Sequence, residues 1–200
     1  MRRSYWLTAL MGFVFTATAS CAQPAHHTDH AQLGAVVPDF TLTDHQGRHH
    51  TLAQYRGQVV LLDFWSATCP ISARYEERLK QIATEYAAQG VVTLAIDANK
   101  NETLEQIQRV AAERQVPFPI LLDSGNMVAD QLGGRTTPHV FVLDGQGRLV
   151  YQGAVDDEGL MGNHPVTRRY LREALDAVLD GRPVTTPETE PFGCSIKRLA

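Results

Sequence analysis

Residues 59–72 read Val59-Val60-Leu61-Leu62-Asp63-Phe64-Trp65-Ser66-Ala67-Thr68-Cys69-Pro70-Ile71-Ser72. Through Trp65 the run is apolar except for Asp63, the composition of a strand buried on both faces. After Cys69 the period changes. Ile71, Tyr75, Leu79, Ile82 and Tyr86 recur every three or four residues, so the spacing predicts an amphipathic helix closed by Gly90. Pro70 suits the first helical turn, where the N–H it lacks would have no partner. Cys69 therefore sits at a helix N-terminus, where unpaired N–H groups and the positive end of the helix dipole favour a thiolate, the nucleophilic form of sulfur. The alternative, an inert cysteine at a strand end, fits poorly with the proline-started helix. Three residues on, where a dithiol site would place its second cysteine, stands Ser72. A serine hydroxyl can hydrogen-bond a thiolate but cannot form a disulfide.

The pattern continues on both sides. Upstream, Phe40, Leu42 and Leu52 suggest a hairpin around Asp44-His45-Gln46-Gly47. Downstream, residues 91–97 form a second buried strand, and Thr103 to Gln106 is a capping box opening a helix with Leu104, Ile107 and Val110 on one face. Val140–Leu143 and Arg148–Tyr151 flank Asp144-Gly145-Gln146-Gly147, a hairpin signal. A last helix, about 166 to 180, turns Tyr170, Leu171, Ala174, Leu175 and Val178 towards the core. Such an order gives an α/β fold with a mixed sheet flanked by helices, and 200 residues at 44% hydrophobic content suit a single domain.

Residues 1–20 read as an export signal, with Arg2 and Arg3 ahead of the apolar stretch from Tyr5 to Ala19. Thr18-Ala19-Ser20-Cys21 resembles a lipoprotein signal, in which Cys21 becomes a lipidated first residue. Ala17-Thr18-Ala19 offers ordinary cleavage instead. The lipidated form is favoured, and either places the protein on the periplasmic side of a bacterial envelope, anchored to the membrane in the first case. Residues 21–33 form a polar linker whose His26, His27 and His30 read as part of a solvated tether rather than a metal site. The net charge of −4, two units lower without Arg2 and Arg3, argues against a nucleic-acid partner. With Cys21 as anchor, Cys69 and Cys194 remain, and an oxidising compartment suggests a pair. A second reading leaves Cys194 in a mobile tail, residues 183–200, pairing with another protein or with nothing.

The segment Val60 to Pro70 resembles the thioredoxin-like redoxins, especially the TlpA-like and AhpC/TSA-related members. So do Val37-Pro38-Asp39-Phe40-Thr41-Leu42, Tyr55-Arg56-Gly57-Gln58-Val59-Val60 and Thr136-Thr137-Pro138-His139-Val140-Phe141. The resemblance covers roughly residues 34–182. It implies a thioredoxin-like fold, a cis Pro138 against Cys69, Thr137 offering backbone groups to substrate, Trp65 on the substrate side, and a buried acid at Asp63. In the family that acid manages the proton of the second thiol; with Ser72 in that place, it is left to tune Cys69 or to bond the Ser72 hydroxyl. Similar exported redoxins combine such a site with a terminal Gly-Cys-x-Ile-Lys, as in Gly193-Cys194-Ser195-Ile196-Lys197. The implied function is thiol–disulfide exchange at Cys69, resolved by Cys194, with protein or small-molecule thiols and disulfides and an external thiol reductant or oxidant as partners, and no cofactor. A peroxidase is the runner-up; where peroxiredoxins carry proline and threonine, this chain has Leu62 and Ser66. Copper handling or client binding is a third class: Ala73 stands where a CxxxC would need cysteine, His139 would have to approach Cys69, and His45, His49, His50 and His164 read as surface residues.

Overall fold

The computed structural model describes Met1 and residues 30–199, so the leader, Cys21, His26 and His27 lie outside the described residues. The chain opens with a hairpin, β1 (Thr41–Thr43) and β2 (His49–Thr51), followed by a 3₁₀ turn over Leu52–Tyr55. Then come β3 (Val59–Trp65), α1 (Pro70–Ala87), β4 (Val91–Asp97), α2 (Leu104–Glu113) and β5 (Ile120–Leu122). The second half adds α3 (Met127–Leu132), β6 (Thr136–Thr137), β7 (Val140–Leu143), β8 (Leu149–Gly153), α4 (Tyr170–Leu179) and β9 (Cys194–Ser195).

The main sheet has the order β5-β4-β3-β7-β8. Its β3–β4 and β4–β5 pairs are parallel, whereas β3–β7 and β7–β8 are antiparallel. Because β3 is central, both its faces are covered, which explains its nearly continuous apolar run. Leu62 and Phe64 pack on one face with α3 and the hairpin. Leu61 packs on the other with Tyr75 and Leu79 of α1 and Leu171 and Leu175 of α4, and Trp65 packs there with Ile107 of α2. Alternation along one strand thus joins two layers to a single sheet.

Three readings need correction, and two short elements are additions. α4 starts at Tyr170 rather than near 166, because Asp157 holds the approach: its carboxylate accepts the Thr167 N–H at 2.9 Å and its own N–H donates to the Arg168 carbonyl at 3.2 Å. Leu104, at the first position of α2, is 47% exposed, and the buried stripe is Ile107, Val110 and Ala111. β5 and α3 were not legible, each being too short to show a period. Finally, His45 and His50 are buried. The hairpin lies against β5, so the His45 ring Nδ1 accepts the Ile120 N–H at 3.2 Å. His50 joins Asp44 at 2.9 Å and the Tyr55 hydroxyl at 2.6 Å.

Beyond α4 the chain is not a loose tail. It follows β8, with the Gln152 N–H donating to Pro187 O at 3.0 Å and the Thr189 N–H to Gln152 O at 3.1 Å. It then sets Phe192 edge-on to Tyr75, pairs as β9 with β6, and buries Ile196 in the core.

Candidate functional site

Cys69 is the N-cap of α1. Its backbone is extended, Pro70 begins the helix, and the Ser72 N–H points at Sγ from 3.3 Å. The residue in the second-cysteine position therefore meets the sulfur through its backbone. The Ser72 hydroxyl oxygen instead accepts the Ser66 N–H at 3.4 Å. Across from Cys69, the Thr137–Pro138 peptide is cis, and the Thr137 carbonyl oxygen stands 3.1 Å from Sγ. The sequence brought these two loops together through β3 and β7, whose antiparallel pairing puts Asp63 opposite Val140.

A disulfide joins Cys69 to Cys194, with Cα atoms 5.9 Å apart at a sequence separation of 125. Pairing of Thr137 with Cys194 and Thr136 with Ser195 sets the tail over the sulfur. Gly193 permits this approach: a Cβ there would fall 2.2 Å from the Thr137 carbonyl oxygen. Cys69 is only 3% exposed, while Cys194 is half-buried. The tail-mobility reading of Cys194 is thereby overturned. The physical cause is anchoring on both sides of the cysteine, which sequence polarity alone does not reveal.

The loop before Cys69 is held by a residue the sequence reading missed. The Glu102 carboxylate accepts from the Ser66 hydroxyl at 2.5 Å, the Ala67 N–H at 2.7 Å, the Thr68 N–H at 3.1 Å and the Thr68 hydroxyl at 2.5 Å. Ser66 in turn accepts the Cys69 N–H at 3.0 Å. Burial alone would raise the Glu102 carboxyl, but hydrogen bonds from Asp97, Ser66 and Thr68 outweigh it and hold the group below the usual range. Burial, with Glu102 beside it, pushes Asp97 up to about 9. No local signal marks Glu102, since its contacts span more than thirty residues.

Asp63 is fully buried, and neither carboxyl oxygen has a hydrogen-bond partner among the described residues. Of the two alternatives for Asp63, the bond to the Ser72 hydroxyl does not form. Burial first, and the nearby Glu76 carboxyl second, push Asp63 well above the ordinary carboxylate range. Trp65, expected on the substrate side, is 1% exposed and donates its indole N–H to Glu76 at 3.4 Å. Its position on β3 turns it inward, so it offers no surface to a substrate. Glu76 was legible in principle, being a carboxylate within the apolar stripe of α1; Arg114 neutralises it at 3.1 Å. His139 packs beside Phe64 and Phe141 with its Nδ1 accepting the Arg135 N–H at 3.3 Å, and burial lowers it to about 3. Among the described residues no group of three or more His, Cys, Asp or Glu side chains is placed to hold a metal ion.

A mixed five-stranded sheet with a Cys-Pro helix start facing a cis Thr-Pro defines a thioredoxin-like fold. The chain belongs to the AhpC/TSA family, which it matches over residues 33–152. Thiol-disulfide oxidoreductase ResA of Geobacillus thermodenitrificans (strain NG80-2) is 32% identical over 117 residues, covering 58% of this chain and 66% of that protein. The chain thus spans about two thirds of the length of the curated relatives it matches. Two crystal structures are similar. One, of a hypothetical protein from Sinorhizobium meliloti 1021, has a TM-score of 0.78 and 36% identity, covering 84% of this chain and 96% of that one. The other, an uncharacterized conserved protein from Geobacillus kaustophilus, has a TM-score of 0.77 and 32% identity over 83% and 92% of the two chains.

Proposed function

We propose that this protein is an exported thiol–disulfide oxidoreductase in which Cys69 is the nucleophile and Cys194 the resolving thiol. The disulfide between a helix N-cap and a distant tail strand carries this reading. In the dithiol form, the Cys69 thiolate attacks one sulfur of a substrate disulfide and releases the other as thiolate. The Cys194 thiolate then attacks Cys69 Sγ, closing the intramolecular bond and releasing the second substrate thiolate. Two electrons pass from protein to substrate. In the return step an incoming thiolate meets Cys194, the less buried cysteine, and Cys69 departs as a thiolate facing the Ser72 N–H. Asp63, the buried acid of β3, is the group proposed to tune Cys69, and Ser72, Thr137 and Pro138 position the sulfur.

Turnover of a model disulfide and of a hydroperoxide by the wild type, Cys69→Ser and Cys194→Ser tests the assignment. Cys69→Ser is expected to abolish exchange, and Cys194→Ser to stop after one mixed disulfide. Hydroperoxide turnover without disulfide exchange would refute it in favour of a peroxidase. Export and lipidation at Cys21 belong to the same proposal, since an oxidising compartment maintains such a disulfide. No described helix is long and apolar enough to cross a membrane. Fatty-acid labelling that is lost in Cys21→Ala would establish the anchor; labelling absent from the wild type would refute it.

A further inference from the structure

An extended polypeptide approaching a redox sulfur gains its affinity by pairing its backbone with an exposed strand edge. The edge beside Cys69 is β6, and it is already filled: Thr136 pairs with Ser195 and Thr137 with Cys194. The occupant is the protein's own tail. Its attachment does not depend on the disulfide. Before the cysteine, the tail is bound to β8 at Pro187 and Thr189, and Thr189 also accepts the Ala154 N–H at 2.9 Å. After it, Ile196 is buried and its N–H donates to Arg135 O at 3.0 Å. The Lys197 N–H donates to Asn99 Oδ1 at 3.0 Å, and the Leu199 N–H to Asn126 Oδ1 at 2.7 Å. None of these contacts is made by the sulfur atoms themselves.

We infer that the tail is a fixed strap that closes the β6 edge in both redox states, so that the site exchanges with low-molecular-weight thiols and disulfides rather than with extended polypeptides. The inference rests on the oxidoreductase reading above and names its substrate class. In the oxidised form Cys69 is 3% exposed and Cys194 half-buried, so an incoming thiol meets the Cys194 side of the bond first. In the reductive direction a small thiolate RS⁻ attacks Cys194 Sγ. An R–S–Cys194 bond forms, the Cys69–Cys194 bond breaks, and the electron pair leaves on Cys69. A second RS⁻ attacks the R sulfur, forming RSSR and releasing Cys194 as thiolate. One protein disulfide and two RSH thus give one protein dithiol and RSSR.

The test measures rates of reduction of the oxidised full-length protein by glutathione and by reduced, unfolded ribonuclease A, compared per thiol. The same pair of rates is measured in Ile196→Asp, which unseats the strap beyond the cysteine, and in Gly193→Ala, whose Cβ would collide with the Thr137 carbonyl. Circular dichroism melts confirm that at least one variant is folded. The wild type is expected to favour glutathione at least tenfold, with that preference falling severalfold or more in a folded variant. A wild type that reacts equally well with the polypeptide, or a preference unchanged in both variants, overturns the strap. A disulfide that neither thiol reduces overturns the oxidoreductase reading itself, and the two failures are separable.

Discussion

Removal of the Cys69–Cys194 bond should destabilise the fold by an amount set by the loop it closes. At a sequence separation of 125, the chain-entropy relation gives a loss of about 16 cal/mol/K from the unfolded ensemble, or about 5 kcal/mol at 25 °C. The native state loses little else, because the tail keeps its backbone pairing, the Ile196 burial and the bonds from Lys197 and Leu199. At a urea dependence of about 2 kcal/mol per molar, the unfolding midpoint should fall by roughly 2 M or more. The assay is urea unfolding followed by far-ultraviolet circular dichroism on the oxidised wild type, the same protein under a phosphine reductant, and Cys194→Ser. Reduced wild type and Cys194→Ser should coincide. The oxidised form should also show the smaller slope, because its cross-linked unfolded chain exposes less surface. Oxidised and reduced midpoints within about 0.3 M of each other would refute the reasoning, since a native-state cross-link over such a loop cannot be thermodynamically silent.

The buried acids and the loop clamp give three further expectations. Asp97 titrates near 9 when folded against 3.8 when unfolded, so its contribution is intact below pH 4 and declines as pH rises towards 9. Asp97→Asn should flatten the fall in unfolding midpoint between pH 5 and 9, a slope bounded by about 1.4 kcal/mol per pH unit; an unchanged slope would count against the assignment. His139 has the opposite sign: lowered to about 3, it contributes stability above pH 6.5 that is lost as pH falls towards 3, so His139→Phe should be relatively less acid-labile in the same assay. Glu102→Ala leaves the Ala67 and Thr68 N–H groups and two hydroxyls without their acceptor, and should cost about 2–4 kcal/mol and slow Cys69 alkylation or exchange, with Glu102→Gln intermediate. Equal stability of all three proteins would show that the clamp is idle.

What could be read from sequence was what periodicity and composition encode locally. The strand ending at Trp65, the helix from Pro70 and the hairpin around Asp144 carry enough residues to show a period, and the Thr137–Pro138 element follows from its resemblance to a known family. The missed features are long-range or short. Glu102 bonds a loop more than thirty residues earlier, α3 has only six residues, His45 looks polar until β5 covers it, and His50 until Asp44 and Tyr55 take its ring nitrogens. Trp65 illustrates a different failure: its residue type suggested contact with substrate, but strand alternation turned it towards Glu76 and the core. The tail reading was divided for the same reason. Prolines and threonines suggested solvent, and only Phe192, Cys194 and Ile196 hinted at a seat on the domain.

Moving the second thiol from Ser72 to Cys194 changes what oxidation does mechanically. Two cysteines on one helical turn would constrain only that turn, because residues three apart already share a face. A bond from Cys69 to β9 instead ties the start of α1 to the last described strand, across the edge that β6 presents. The entropy loss therefore falls on the unfolded chain as a whole, while the helix start has the Ser72 N–H as its donor to Cys69 Sγ. The Ser72 N–H faces Cys69 Sγ, and a serine side chain cannot supply a competing disulfide. Substituting Ser72→Cys should test that division of labour directly. If Cys69 then pairs with the introduced thiol in preference to Cys194, mapped as the cross-linked peptide under non-reducing conditions, the tail bond depends on serine being there. The seated tail predicts the other result, in which Cys69–Cys194 remains the dominant bond. Its Cα separation of 5.9 Å lies within the usual disulfide range, and Gly193, Ile196 and Lys197 hold Cys194 at that distance.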